Sequence, residues 1–230
     1  MAGSVGTVAF VGGGEFDAGS RDLDLELLAR VGGAEVLVLP TAAAFEHPER
    51  VLVRAAEHFG ELGAKVRGLE ILHRHDIDDA AVAAASSARF VYLSDGSPLH
   101  LRSVLKGSAL YDAIKGVYDG GGVVAASGAG ATVLGDPMVD PRGGAYTVGL
   151  GLVADLAVFP YHGTAADHLR ERSIDLLPKA ATLVGIDEET GLVRDPDGTW
   201  RVGGAGSVTV YDSEAVTTIR SGSTVDALHL

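Results

Sequence analysis

The stretch GGVVAASGAGATVLG, residues 121–135, has the composition of a catalytic turn. A short apolar strand runs into five residues no larger than serine, and a helix-forming segment follows. A nucleophile at the tip of a strand-to-helix turn needs small residues two positions before and two after it, because the turn is strained and neighbouring backbone packs close. Two registers satisfy this. With Ser127 at the tip the flanks are Ala125 and Ala129; with Gly128 they are Ala126 and Gly130. The first register supplies a hydroxyl for acyl transfer and the second supplies no side chain, and local sterics do not choose between them.

Other residues could assist such a hydroxyl. His162, in AVFPYHGTAADHL, lies between an apolar strand and a helix, where an imidazole could act as base. Asp187, Glu188 and Glu189, in GIDEETGL, end a further strand, and one of them could orient the ring; the chain order is permitted because triads are defined by geometry. Taken singly, a loop histidine more often packs or faces solvent, and a run of acids is more often a solvated turn. In VYLSDGSPLHL, Ser94-Asp95-Gly96-Ser97-Pro98 forms a turn that launches a helix with proline at its first position, and its N–H groups could face an anion. VGGGEFDAG invites a dinucleotide reading, but Gly12-Gly13-Gly14 is not the spaced fingerprint, and Pro40-Thr41 stands where a ribose-binding acid belongs. It reads as a tight turn with Glu15 or Asp17 near a helix start. His73, His75 and Asp76 (LHRHD) have metal-ligating chemistry without a specific spacing; they read as a solvated strand end, and no metal is expected.

The elements that must position these groups are legible from periodicity. Continuous apolar runs at Val8–Val11, Glu35–Leu39, Lys65–Leu69, Phe90–Leu93 and Val123–Ala126 alternate with helical segments at Arg21–Val31, Pro48–Leu62, Ile77–Ala85, Leu99–Leu105 and Leu110–Tyr118. Strands apolar on both faces and separated by helices predict a parallel, doubly wound α/β sheet with functional loops at the strands' carboxyl ends. After residue 180 the chain breaks into short β-like pieces joined by turn dipeptides, which predicts antiparallel strands added to an edge of the main sheet. No linker interrupts residues 1–230, which are expected to form a single domain.

The bulk numbers narrow the function. A length of 230 residues suits one core, and a net charge of −13 disfavours nucleic acid and anionic membranes. The absence of cysteine excludes thiolate nucleophiles, disulfides and Cys-ligated zinc. The first residues lack a basic, long apolar leader, so a cytoplasmic protein is expected, and the Ala-, Gly-, Val- and Arg-rich composition suits a high-GC bacterium.

Together these pieces resemble the S51 serine peptidase family, which includes cyanophycinase and dipeptidase E. The matching segments span nearly the whole chain: VGGGE, VLVLPTAAAFEHPER, YLSDGSPLHL in place of the family's Gly-Gly-Asn/Asp-Gln loop, and GGVVAASGAGATVLG in place of its Gly-x-Ser-Ala-Gly-Ala elbow. VGLGL, FPYH, VGIDEETGL and VGGAGSVTVYD follow in order. The resemblance implies a three-layer αβα sandwich of the flavodoxin-like, class I glutamine amidotransferase-like kind. It also implies a serine hydrolase of short acidic or β-aspartyl peptides that needs no cofactor. Carried over by position, His162 matches the family histidine and Glu188 the acid. Gly96 matches the second glycine of the oxyanion loop, in which Asp95 and Ala129 also belong.

The departures fall at the chemistry. An ungapped match puts Gly128 at the nucleophile position, Ser127 one place before it, Asp95 for the first loop glycine and Pro98 for the glutamine. The expectation is therefore a member with a binding or regulatory role, taking a small peptide or amino-acid-like ligand. The alternative is an active hydrolase with Ser127 as nucleophile and His162 as base; a third reading is an enzyme using His162 and the acids without a covalent intermediate. Oligomeric state is left open, a homodimer included.

Overall fold

The computed structural model describes residues 5–33, 35–212 and 215–228. Five parallel strands form its centre: β1 (Thr7–Val11), β2 (Glu35–Leu39), β3 (Lys65–Gly68), β4 (Phe90–Leu93) and β5 (Val123–Ser127). Side chains alternate across a strand, and both faces here are apolar. Val8, Phe10, Leu37, Leu39, Val91, Leu93, Val124 and Ala126 belong to one buried cluster. Ala9, Val11, Val36, Val38, Phe90, Tyr92, Val123 and Ala125 belong to another. That two-faced burial is why the runs read as continuous and not alternating.

Helices cover both faces. α1 (Arg21–Arg30) and α2 (Pro48–Glu61) place Leu23, Leu27 and Phe59 in the second cluster. α3 (Asp79–Ser87), α4 (Pro98–Leu105) and α5 (Ala109–Asp119) place Ala85, Leu101, Leu105, Leu110 and Ile114 in the first. The starts follow capping chemistry: the side chains of Asp78, Ser97 and Ser108 each accept an N–H from the first turn that follows. The cap at Asp78 sets the start of α3 at Asp79, two residues beyond the Ile77 that periodicity gives.

The main sheet has seven strands in the order β13-β12-β1-β5-β4-β2-β3. β12 (Thr190–Arg194) and β13 (Trp200–Gly204) add to β1 as an antiparallel hairpin, as expected of the tail. The rest of the tail corrects that expectation. β11 (Thr182–Ile186), β14 (Ser207–Tyr211) and β15 (Val216–Arg220) belong to a second sheet, ordered β15-β14-β11-β10-β6-β9. Its remaining strands, β6 (Gly135–Asp136), β9 (Val153–Ala154) and β10 (Leu156–Phe159), follow the short helix α6 (Ala129–Leu134). A two-stranded ribbon of β7 (Met138–Val139) and β8 (Tyr146–Thr147) lies between β6 and β9 in the chain, and α7 (Asp167–Asp175) connects β10 to β11. Val158, Val184, Val208 and Val210 of the second sheet share the first cluster with Val8 and Phe10, so one core joins the two sheets. Among the described residues no helix is long and apolar enough to cross a membrane.

Candidate functional site

β5 ends at Ser127, and the chain reverses at Gly128 into α6. Gly128 has φ 49° and ψ −108°, a conformation that glycine reaches without Cβ strain. Its N–H donates to the Val11 carbonyl at 2.9 Å, which ties the tip to the end of β1. Gly130 is needed for packing, since a Cβ there would stand 2.8 Å from the Leu93 carbonyl oxygen. The tip of the turn is thus Gly128, and Ser127 is the last residue of the strand.

Ser127 is fully buried. Its hydroxyl donates to Glu15 Oε2 at 2.8 Å. The other oxygen, Glu15 Oε1, accepts the Asp95 N–H at 3.2 Å. Burial pushes the Glu15 carboxyl above its ordinary range, the Asp95 charge adds to this, and the bond from Ser127 works against it. Glu15 therefore joins the site and does not open a helix. Asp17 instead pairs with Arg54 at 2.9 Å.

The loop after β4 supplies the decisive feature. Asp95 Oδ1 accepts the Gly96 N–H at 2.7 Å and the Ala129 N–H at 2.6 Å. Those two amides, one on the β4 loop and one immediately after the turn's tip, converge as an oxyanion hole requires. Here they hold a carboxylate of the chain itself. The second oxygen, Oδ2, accepts the hydroxyl of Tyr161. A Cβ built on Gly128 would lie 2.1 Å from Asp95 Oδ1 and 2.2 Å from its carboxyl carbon. The carboxylate fills the space above the tip. Gly96 (φ 139°) must be glycine, because a Cβ there would meet the Ala42 carbonyl oxygen at 2.3 Å.

Tyr161 and His162 are neighbours with different surroundings. Tyr161 has φ 54°. Its N–H donates to the Gly12 carbonyl at 2.7 Å, and its ring lies where a Cβ on Gly13 would be, 2.3 Å from the nearest ring carbon. The glycine run is thus a packing device. Burial and the Asp95 charge hold the Tyr161 phenol well above its ordinary pKa. His162 turns Nε2 to the Tyr211 hydroxyl at 2.7 Å, and its Nδ1 stands 3.7 Å from Asp187 Oδ1. Asp187 Oδ2 is fixed by the Ser207 N–H and hydroxyl, at 3.0 and 2.7 Å. The acid facing His162 is therefore Asp187. Glu188 accepts from Thr164 Oγ1 at 2.9 Å, and Glu189 from the Gly19 N–H at 2.5 Å. Burial pushes His162 below its ordinary range, partly offset by Asp187.

Beside the tip lies a cavity of about 230 Å³. Its lining is largely apolar, with Pro98, Val139, Phe159 and Leu169, and Asp95, Thr132 and Tyr161 are its polar side chains. The signals that sequence reasoning missed are Glu15, hidden behind three glycines, and Tyr161, next to the histidine that drew attention. Pro98 has the first-turn role read for it and also lines the cavity.

A model of peptidase family S51 matches residues 8–200. The cyanophycinase of Trichormus variabilis (strain ATCC 29413 / PCC 7937) is 30% identical over 227 residues, covering 91% of this chain and 74% of the cyanophycinase. That of Synechococcus elongatus is 29% identical over 234 residues, covering 94% and 70%. Among solved structures, a peptidase from an acI-B1 Actinobacterium superposes with a TM-score of 0.88 at 26% identity, covering 98% of each chain.

Proposed function

The chain belongs to peptidase family S51, and we propose that it is a binding member of that family whose elbow carries glycine in the nucleophile's place. The observation that carries this reading is the Asp95 carboxylate, bonded to the Gly96 and Ala129 amides and standing 2.1 Å from where a side chain on Gly128 would begin. Acyl transfer needs those amides free for the oxyanion that develops on the substrate. A resident anion opposes that charge. Ser127 is a poor substitute: it is fully buried, belongs to the β1–β5 ladder, and spends its hydroxyl on Glu15.

The ligand class follows from the cavity. Its volume of about 230 Å³ falls below that of a drug-sized pocket and suits one side chain or an amino-acid-like molecule. A largely apolar lining with Asp95 as its one acid favours an apolar group bearing an amine over the acidic residue that cyanophycinase-like substrates would present. A neighbouring groove lined by Glu15, Asp17, Glu46 and Glu188, with Arg54 as its cation, continues the negative field.

A fluorophosphonate probe tests the reading. The wild type should remain unlabelled, and so should Gly128→Ser, because the Asp95 carboxyl that its side chain displaces stays in the site as an anion opposing the developing oxyanion. The double variant Asp95→Gly/Gly128→Ser should gain labelling. Labelling of the wild type that is lost in Ser127→Ala would overturn the proposal in favour of hydrolysis through Ser127.

A further inference from the structure

Away from the Gly128 cavity, the turn after β3 gathers three metal-ligating groups. Residues Arg74–Asp76 form a single 3₁₀ turn. Asp76 closes it: Oδ2 accepts the N–H groups of Leu72 at 3.0 Å and His73 at 2.7 Å. Oδ1 lies 3.3 Å from His75 Nε2, and His73 Nδ1 lies 3.6 Å from Oδ2. One ligand atom from each residue can be chosen so that all three fall within 4.8 Å of one another. The two imidazoles stack, with centroids 5.3 Å apart and planes 15° apart.

This arrangement is held from outside. The Arg74 guanidinium donates to the carbonyls of Ser103, Val104, Lys106 and Gly107 at the end of α4. The turn's own cation is thereby committed to α4. His100, on α4, bonds the Leu72 carbonyl through Nε2 at 2.7 Å. The exposed Phe45 ring stands edge-on to His73 and His100, at 6.2 and 4.9 Å, and walls one side of the cluster with apolar surface. Backbone that is anchored at both ends keeps the ligands together without a large entropic cost on binding.

We propose that His73, His75 and Asp76 form a Zn²⁺ site with a fourth position open to water or to a further ligand. Two imidazoles and a carboxylate suit zinc and neighbouring transition metals, whereas Mg²⁺ and Ca²⁺ require oxygen ligands. Zinc bonds to nitrogen and oxygen of about 2.0–2.1 Å put tetrahedral ligands roughly 3.3 Å apart. The 3.3 and 3.6 Å separations, made to the two oxygens of Asp76, lie near that spacing, and one ligand atom from each residue falls within 4.8 Å of the others. Three protein ligands with one open position is the pattern of zinc sites that bind an exchangeable ligand. The turn that the sequence presents as a solvated strand end thus acquires a chemical role, independent of the reading of the Gly128 site.

The test is Zn²⁺ titration of the whole chain in competition with a chromophoric chelator, repeated with Co²⁺ to read its visible absorption. One site per chain is expected. The His75 ring is 82% exposed, so His75→Ala leaves the fold intact. Losing an outer-shell partner alone weakens metal binding about 10–100-fold, so losing this ligand should cost at least about tenfold and abolish the Co²⁺ bands. His73→Gln should act alike, and His168→Ala, at an exposed histidine on α7, should change nothing. Equal affinity in wild type and His75→Ala, or an equal loss in His168→Ala, would overturn the site.

Discussion

The contact between Asp95 and the space above Gly128 can be weighed by a double-mutant cycle that needs no activity. Gly128→Ser forces a side chain into φ 49°, ψ −108°, which costs about 1–3 kcal/mol of backbone strain. It must also expel the Asp95 carboxyl from 2.1 Å, which breaks the bonds from Gly96, Ala129 and Tyr161. Net values near 1.5–3 kcal/mol apply to each bond to a charged group, and the cavity lets water reach the freed groups, so the three together are worth roughly 2–4 kcal/mol. The single variant should thus lose about 3–7 kcal/mol, a fall in Tm on the order of 10 °C for a chain of this length. Asp95→Gly loses the same bonds without the strain, roughly 2–4 kcal/mol. In the double variant those bonds can be lost only once. It should be about as stable as Gly128→Ser alone, with a coupling of roughly 2–4 kcal/mol relative to additivity. Urea denaturation of the four proteins measures this. Additivity within about 0.5 kcal/mol would mean that Asp95 does not occupy the space, and the reasoning fails.

Three further outcomes follow from the buried titratable groups. Glu15 has a raised folded pKa, so its stabilisation is complete below its unfolded value and is lost as pH rises through the folded one; Glu15→Gln should show a smaller fall in Tm between pH 4 and 8 than wild type, and an unchanged slope refutes this. His162 has a lowered folded pKa, so stability is lost as pH falls below about 6.5 towards that value. His162→Gln should therefore flatten the Tm profile between pH 7 and 5, and a profile that steepens instead contradicts the assignment. Asp24 and His58, bonded at 2.8 Å and almost fully buried between α1 and α2, should behave as a pair. Asp24→Ala alone should cost about 1–3 kcal/mol by denaturant titration, because it leaves His58 buried without its partner, and a loss below about 0.5 kcal/mol would show that the pair is not coupled to folding.

The framework was legible because burial on two faces leaves a one-dimensional trace. The runs at Val8, Glu35, Lys65, Phe90 and Val123 locate every parallel strand of the main sheet to within a residue or two. The tail was less legible because pairing is non-local. AATLVGID joins β10 and β14 in the second sheet, whereas TGLVRD joins β1, and nothing within either segment distinguishes the two outcomes. Within the site, the sequence identified Asp95, Gly96, Gly128 and Ala129 but not what they do to one another. The choice between Asp187 and Glu188 is a one-residue question of loop direction. Asp187 is pinned by Ser207 of β14, a contact made across 20 residues. Glu15 was obscured because its role depends on β1 and β5 being adjacent, which brings Ser127 to it from 112 residues away.

On the reading proposed above, the residues at 95 and 128 are physically one change. Set against the family's pattern, an acid in the oxyanion loop and a glycine at the elbow look like separate losses, each enough to impair acyl transfer. In the folded chain each permits the other. The Asp95 carboxylate fits only because position 128 has no Cβ, and the amides that would hold a transition-state oxygen are satisfied only because that carboxylate reaches them. Without the Asp95 carboxylate, the Gly96 and Ala129 amides would be two inward-facing donors to be met by water or a ligand. Asp95 satisfies them internally, and Tyr161 closes the other side of the same carboxylate. The cavity is thereby left with a largely apolar lining that includes the Asp95 carboxylate, the electrostatic opposite of an oxyanion hole awaiting substrate. On the proposed reading, a serine placed at position 128 would meet that carboxylate before it met any substrate, so a gain of labelling requires both positions to change.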